Sequence, residues 1–282
     1  MISTGPLTRE RALRDGLSIA GLISVIWFWS QGWPTLGYDA YAYWNVDPLS
    51  PYHYKGAPDE LGAFRYSPAA AQLFGLLNWL PWPAFYWLLV GCLFVALVFV
   101  GRWWVVALLG YPPVLYSIWL GNIDILIAAA IVAGFRWPAA WAFVLLTKVT
   151  PGVGVLWFAV RREWQNLLKA VGVTLTIAAV SFLILPRPWI DWPVALATIR
   201  SDGQASDIPL VLRVAVAAAV VVWGALTDRR WSVIAAAFLA DPQFSLRALA
   251  ILVGVFPLIR STQPGAAASA GATVSRSPSS RT

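Results

Sequence analysis

The chain has 282 residues, of which 59% are hydrophobic and only 12% charged, too little polar surface to cover a water-soluble domain of that size. What remains is an integral membrane protein with many spans. The net charge of +7 does not indicate nucleic-acid binding, because the basic residues fall mostly in short junctions between apolar runs, where the positive-inside bias puts them. Eighteen tryptophans fit the same class, since Trp favours membrane interfaces. One cysteine, Cys92, excludes a disulfide within the chain and gives no thiolate metal site.

The N-terminus is basic and then apolar from about Leu17 to Trp33, without a small-residue cleavage site. It reads as an uncleaved first helix whose N-terminus is cytoplasmic. The longest polar interruption follows, Gly37 to Ser67, with the single histidine and four of the thirteen carboxylates. Within it, Asp39 to Trp44 is expected to form a short interfacial helix stopped by Asp47-Pro48. The apolar run Pro68–Leu80 would span only about 20 Å as a helix, short of the roughly 30 Å hydrocarbon core. Laid along the outer surface, it leaves Ala84–Val100 as the second span. That topology places Arg102, Arg136, Arg161, Arg162, Lys169, Arg229 and Arg230 in the cytoplasm.

The remaining segments are expected at about Trp104–Leu120, Ile123–Phe135, Pro138–Thr147, Pro151–Val160, Leu167–Leu185, Pro209–Leu226 and Trp231–Ile259. Lys148-Val149-Thr150-Pro151 divides one candidate helix into two short ones, because proline lacks the amide donor and clashes with the preceding turn. Asp241-Pro242 predicts a second break. The fold class is therefore all-α: a polytopic bundle of about 9–10 membrane segments, some short, with interfacial helices in an outer loop. Residues 1–260 form the membrane-embedded domain. Residues 261–282, small and polar, are expected to be a disordered tail.

On this topology the outer face receives Asp39, Asp47, Lys55, Arg65, Asn122, Asp124, Lys148 and Asp191. A carboxylate at Asp39 can take a proton from an attacking hydroxyl, although position alone fits a helix cap as well. Arg65, in Phe64-Arg65-Tyr66-Ser67-Pro68, can hold a phosphate by two hydrogen bonds or anchor at the interface. Asp124 enters its helix early; forced to the bilayer centre it would cost about 2.5–3.5 kcal/mol, so it needs an interfacial place or a partner. Lys148 lies among apolar residues, which predicts a phosphate or carboxylate partner. His53 reads as a solvated loop histidine. No Gly-rich phosphate loop, HExxH or Cys pair is present, so no soluble nucleotide donor is expected, and the wide apolar body suggests a lipid substrate.

The order of these pieces is similar to a known family. An Asp after the first span, Pro51-Tyr52, Arg65-Tyr66-Ser67-Pro68, Gly121-Asn122-Ile123-Asp124 and Lys148 ahead of Pro151 together resemble the GT-C glycosyltransferases, closest to glycosyltransferase family 87, the polyprenol-phosphate-mannose-dependent α-mannosyltransferases. The RYSP and GN-x-D pieces also resemble the mannosyltransferase that adds the first mannose of the GPI anchor. The resemblance implies a GT-C-like bundle that moves a mannosyl or related residue, with inversion, from a polyprenyl-phosphate sugar to a lipid-linked glycan at the extracytoplasmic face. It implies Asp39 as general base, Arg65 and Lys148 at the donor phosphate, and Asn122 and Asp124 lining the cleft; Tyr41, on the short interfacial helix with Asp39, is a further cleft-lining candidate. No cofactor or metal is implied, since the first loop lacks an Asp-x-Asp pair. The partners implied are the donor, the acceptor and membrane lipids, with no nucleic acid. The chain is short for the family, which leaves room for a partner subunit that completes the acceptor site. A non-catalytic membrane scaffold and a small-molecule transporter are the rival classes.

Overall fold

Proline and glycine set many of the helix boundaries in this computed structural model, which describes residues 6–32, 35–52, 63–199 and 208–260. His53, Lys55 and the tail 261–282 lie outside the described residues. Every regular element among those described is helical. In chain order they are α1 (Pro6–Ser30), α2 (Tyr38–Trp44), α3 (Pro68–Gly75), α4 (Trp82–Gly101), α5 (Val105–Leu109), α6 (Pro112–Leu120) and α7 (Asp124–Gly134). Then follow α8 (Trp141–Thr147), α9 (Leu156–Val160), α10 (Trp164–Ile184), α11 (Pro186–Ile199), α12 (Leu210–Leu226), α13 (Trp231–Leu239) and α14 (Val255–Arg260). Tighter 3-10 turns occupy Arg102–Trp104, Pro138–Ala140, Thr150–Val155 and Leu246–Gly254.

The protein is an all-α polytopic membrane protein, but its spans are uneven. Arg9–Ser30, Trp82–Leu109 and Trp164–Ile184 are each long and apolar enough to cross a membrane. Helices α6 and α7 make a further span only together, bent by 110° at their junction. Pro138–Thr147, Thr150–Val160, Leu210–Leu226 and Arg247–Ile259 are shorter apolar pieces. Several of the expected membrane segments are therefore too short to cross alone. The short helix at Asp39–Trp44 and the breaks at 148–149 and 240–245 fall where proline and charge predict them. Trp104–Leu120, expected as one segment, is instead divided around Gly110-Tyr111, because Pro112 and Pro113 can open a helix but not continue one.

Helix α7, α13 and the 246–254 segment form the centre. Ile125, Ile127, Ile131, Val233, Ile234, Ala250 and Ile251 are wholly buried there. The sequence of α7, DILIAAAIVAG, is apolar on every side, as a helix enclosed by other helices must be. Helices α1 and α10 stand outside, with Ile19, Ile23, Ile26, Leu168, Leu175 and Leu183 exposed, the surface a bilayer would cover. Helix α1 docks on α5 where Gly21 meets Gly110; a Cβ on Gly21 would lie 2.2 Å from the Val106 carbonyl oxygen. Small residues at such a crossing let the backbones approach closely enough for dispersion to hold the pair.

The α6–α7 bend positions the polar residues. Gly121 has φ 68°, a left-handed conformation that L side chains resist. A Cβ there would also lie 2.5 Å from Ala40 Cβ, so the bend and α2 touch backbone to backbone. The Gly37 amide donates to the Trp119 carbonyl at 2.8 Å and ties the start of α2 to the end of α6.

Gly121→Ala is expected to lower stability by about 1–3 kcal/mol through strain and collision. Gly91→Ala, on an open face of α4, should change it by no more than about 1 kcal/mol. Thermal unfolding of the two variants in one detergent checks this. Equal midpoints would show that α2 does not depend on the bend.

Candidate active site

Polar groups gather where the helices break. Asp39 lies in the first turn of α2, its carboxylate 14% exposed. Asn122, in the bend, donates from Nδ2 to Asp39 Oδ2 at 2.8 Å. Its own Oδ1 accepts from the Asp124 amide at 2.9 Å, so the residue that orients Asp39 also satisfies the first amide of α7. Arg247, opening the 246–254 segment, donates from Nη1 to Asp39 Oδ1 at 3.0 Å and Oδ2 at 3.3 Å.

Behind this pair is a buried triad. Lys148 Nζ lies 2.6 Å from Asp124 Oδ1 and 2.7 Å from Asp241 Oδ2, and all three side chains are at most 5% exposed. Both Asp241 oxygens are used, since Oδ1 accepts from the amides of Gln243 and Phe244. Arg213, from α12, holds the turn that carries Asp241. It donates to the carbonyls of Asp241 at 2.6 Å and of Leu239 and Pro242 at 3.3 Å, and lies over the Phe244 ring. A ladder of charge thus runs Arg247–Asp39–Asn122–Asp124–Lys148–Asp241–Arg213. Three carboxylates face three cations. In an apolar interior that balance is the condition for keeping any of them ionised.

A tyrosine pair flanks the ladder. Tyr43, one turn after Asp39 on the same face of α2, shares a 2.9 Å hydrogen bond between hydroxyls with Tyr66. Tyr52 donates to the Tyr66 carbonyl at 2.7 Å. Burial pushes the Tyr66 phenol up to about 12 and Tyr43 well above the ordinary value, so both stay neutral across the physiological range. Ser67 donates from Oγ to the Leu146 carbonyl, which fixes the Arg65–Ser67 strip against the end of α8, beside Lys148. Arg65 is half-buried on that strip.

The structure therefore brings together Asp39, Asn122, Asp124 and Lys148, with Arg65 on the adjoining strip. Tyr41 is not with them. It packs on Trp44 and Trp82, because residues two apart on a helix point to nearly opposite sides. Lys148, for which a phosphate or carboxylate partner is expected, gives its ammonium to two carboxylates. Asp47 accepts from Leu49 and Ser50 in its own turn, and Asp191 pairs with Arg187 on α11. Arg247, Asp241 and Arg213 join the site as ionic groups beyond the sequence expectations. Arg213 and Arg247 are charges within apolar runs, the same signal that pointed to Lys148.

The described residues define an integral membrane protein whose broken helices converge on a charge-paired site with one carboxylate at its edge. Residues 64–276 match glycosyltransferase family 87, and the chain belongs to that family and is a glycosyltransferase. The matched stretch includes Arg65, Asn122, Asp124, Lys148, Asp241 and Arg247 and begins after Asp39. No curated protein and no solved structure matches the chain.

Lys148→Met should cost about 3–5 kcal/mol, because it leaves two buried carboxylates uncompensated. Adding Asp241→Asn should recover part of that loss by removing one of the stranded charges. Denaturation of the wild type, the single and the double variant measures both. A double variant less stable than the single one would contradict the triad.

Proposed function

We propose that this glycosyltransferase transfers a mannosyl or related residue from a polyprenyl-phosphate sugar to a hydroxyl of a lipid-linked glycan, with inversion, at the extracytoplasmic face. The observation that carries the reading is the placement of Asp39. It is the partly exposed carboxylate of the ladder, held by Asn122 on one side and Arg247 on the other. A fixed, accessible carboxylate is what a general base requires.

In this chemistry the acceptor oxygen attacks the anomeric carbon and passes its proton to Asp39. The bond from that carbon to the phosphate oxygen breaks, and its electron pair leaves on polyprenyl phosphate. The phosphate needs no proton to depart. Arg65 meets it from the strip before α3, and Lys148 acts through Asp124 by holding the bend in which Asn122 sits. The apolar outer faces of α1 and α10 are consistent with a donor that arrives from the bilayer.

The proposed orientation is supported by charge. Arg161 donates to the Ala225 carbonyl and pairs with Asp228, while Arg230 lies over the Phe135 ring, next to Arg136. Helix α7 runs from Asp124 toward Arg136, α12 carries Arg213 in its first turn and ends shortly before Arg229, and α13 begins just after Arg230 and ends just before Asp241. Each has one end at the ladder and the other in a basic cluster. By the positive-inside bias the cluster is cytoplasmic and the ladder faces away from the cytoplasm.

The test is transfer by purified protein in lipid, supplied with radiolabelled polyprenyl-phosphate sugars and a membrane lipid extract. Asp39→Asn should lower turnover by about 10²–10⁴ at equal folded amount while donor binding survives. Near-normal turnover by Asp39→Asn would remove Asp39 as the base.

A further inference from the structure

The basic cluster at the end of the bundle opposite the ladder holds more positive charge than its own contacts use. Helices α7, α9 and α12 end there, and α13 begins there. Arg136, Arg161, Arg162, Arg229 and Arg230 meet Glu163 and Asp228, a surplus of three positive charges. Arg161 takes both carboxylates, Glu163 at 3.3 Å and Asp228 at 3.0 Å, and also donates to the Ala225 carbonyl. Arg136, Arg162, Arg229 and Arg230 are exposed, with no side-chain hydrogen bond or ion pair among the described residues. Complementing the dipoles of three helix C-termini would take one cation at each, and the cluster holds five. Aromatic rings hold these arginines in place. The Arg230 guanidinium lies 5.5 Å from the centre of the Phe135 ring, Arg136 5.1 Å from Trp137 and Arg229 5.1 Å from Trp223. Phe135 packs edge-on against Trp157, over which Arg161 lies, so the arginines share one aromatic base. Contact with a ring leaves the edge N–H groups of a guanidinium for an anion. Trp137, Trp164 and Trp223 are themselves exposed, which places the cluster at the depth of lipid headgroups.

We propose that this cluster is a binding site for an anionic phospholipid, with Arg136, Arg229 and Arg230 on its phosphate and its acyl chains along the outer face of α12. The inference is independent of the donor, the acceptor and Asp39. In the last turns of α12, Val222, Trp223 and Leu226 are exposed, Leu226 to 74%. Cation and apolar strip therefore adjoin, and one lipid molecule covers both. An acidic protein segment would match the charge but leave the strip to the bilayer. The surplus charge also selects among lipids. A zwitterionic headgroup brings its own ammonium, which the unpaired arginines repel, whereas a headgroup with only a phosphodiester brings the anion alone. At a membrane surface each lysine or arginine strengthens attraction to anionic lipid by about 5-fold.

The test places the whole chain in nanodiscs of phosphatidylglycerol and phosphatidylcholine with equal acyl chains, and native mass spectrometry reads which lipid stays bound on release. Wild-type protein should retain phosphatidylglycerol in preference. Arg136→Gln, Arg229→Gln and Arg230→Gln should each reduce that preference about 5-fold, and the triple variant about 100-fold. All three side chains are exposed, so the unfolding midpoints should stay within a few degrees of wild type. Arg11→Gln removes the same charge from an exposed position on α1, a helix packed mainly on α5, and should keep the wild-type preference. A loss from Arg11→Gln equal to that from the cluster variants would reduce the effect to general surface charge and overturn the inference. A wild-type protein without preference, or a triple variant that keeps it, would do the same. Glycerophosphoglycerol, the headgroup without acyl chains, should not displace the lipid at equal concentration; displacement would assign the cluster to a soluble phosphate ester instead.

Discussion

The ammonium of Lys148 between Asp124 and Asp241 is the contact on which the rest of the polar architecture depends. It joins three places where helices stop: the start of α7, the gap after α8 and the turn after α13. None of those stops is stable by itself, since each leaves backbone groups and a charge in apolar surroundings. Together they pair their charges. Such a triad adds little net stability compared with an apolar core of the same volume, but any misalignment strands a charge. It therefore fixes the register in which the half-length helices meet.

The two arginines at the ends of the ladder have different tasks. Arg213 spends its donors on backbone carbonyls and secures the turn around Asp241. Arg247 reaches a carboxylate at the edge of the site, while its Nε has no hydrogen-bond partner among the described residues. The planar, multi-donor geometry suits both arrangements, and a lysine could supply neither. Asn122 performs the joining step, with its amide oriented by Asp39 on one side and the α7 N-terminus on the other.

Local punctuation was legible in the sequence. The short helix after the first span, the interruption at Lys148–Pro151 and the break at Asp241-Pro242 all follow from proline, charge and segment length. Pairing was not. The rule that a buried ammonium needs an anion identified Lys148, but it cannot choose between a ligand phosphate and an aspartate 93 positions downstream. Arg247 lies 208 positions from Asp39, and its apolar run hid it although the same rule applied. Tyr41 shares the short helix α2 with Asp39, but helical phase sends it to the aromatic cluster around Trp82. The tandem prolines at 112–113 were equally visible and should have divided the Trp104–Leu120 segment.

The even balance of three carboxylates against three cations also bears on how a reaction cycle would end. Under the proposed chemistry the donor enters as a phosphodiester with one negative charge and departs as a phosphomonoester with two, once Asp39 has passed its proton to water. Arg65 matches the single charge of the donor, and the resting ladder has no further cation for the one that is added. Product held there would face Asp39 newly deprotonated, in surroundings that screen poorly. Under that chemistry, the same pairing that keeps the empty site stable would disfavour the spent carrier and favour its release.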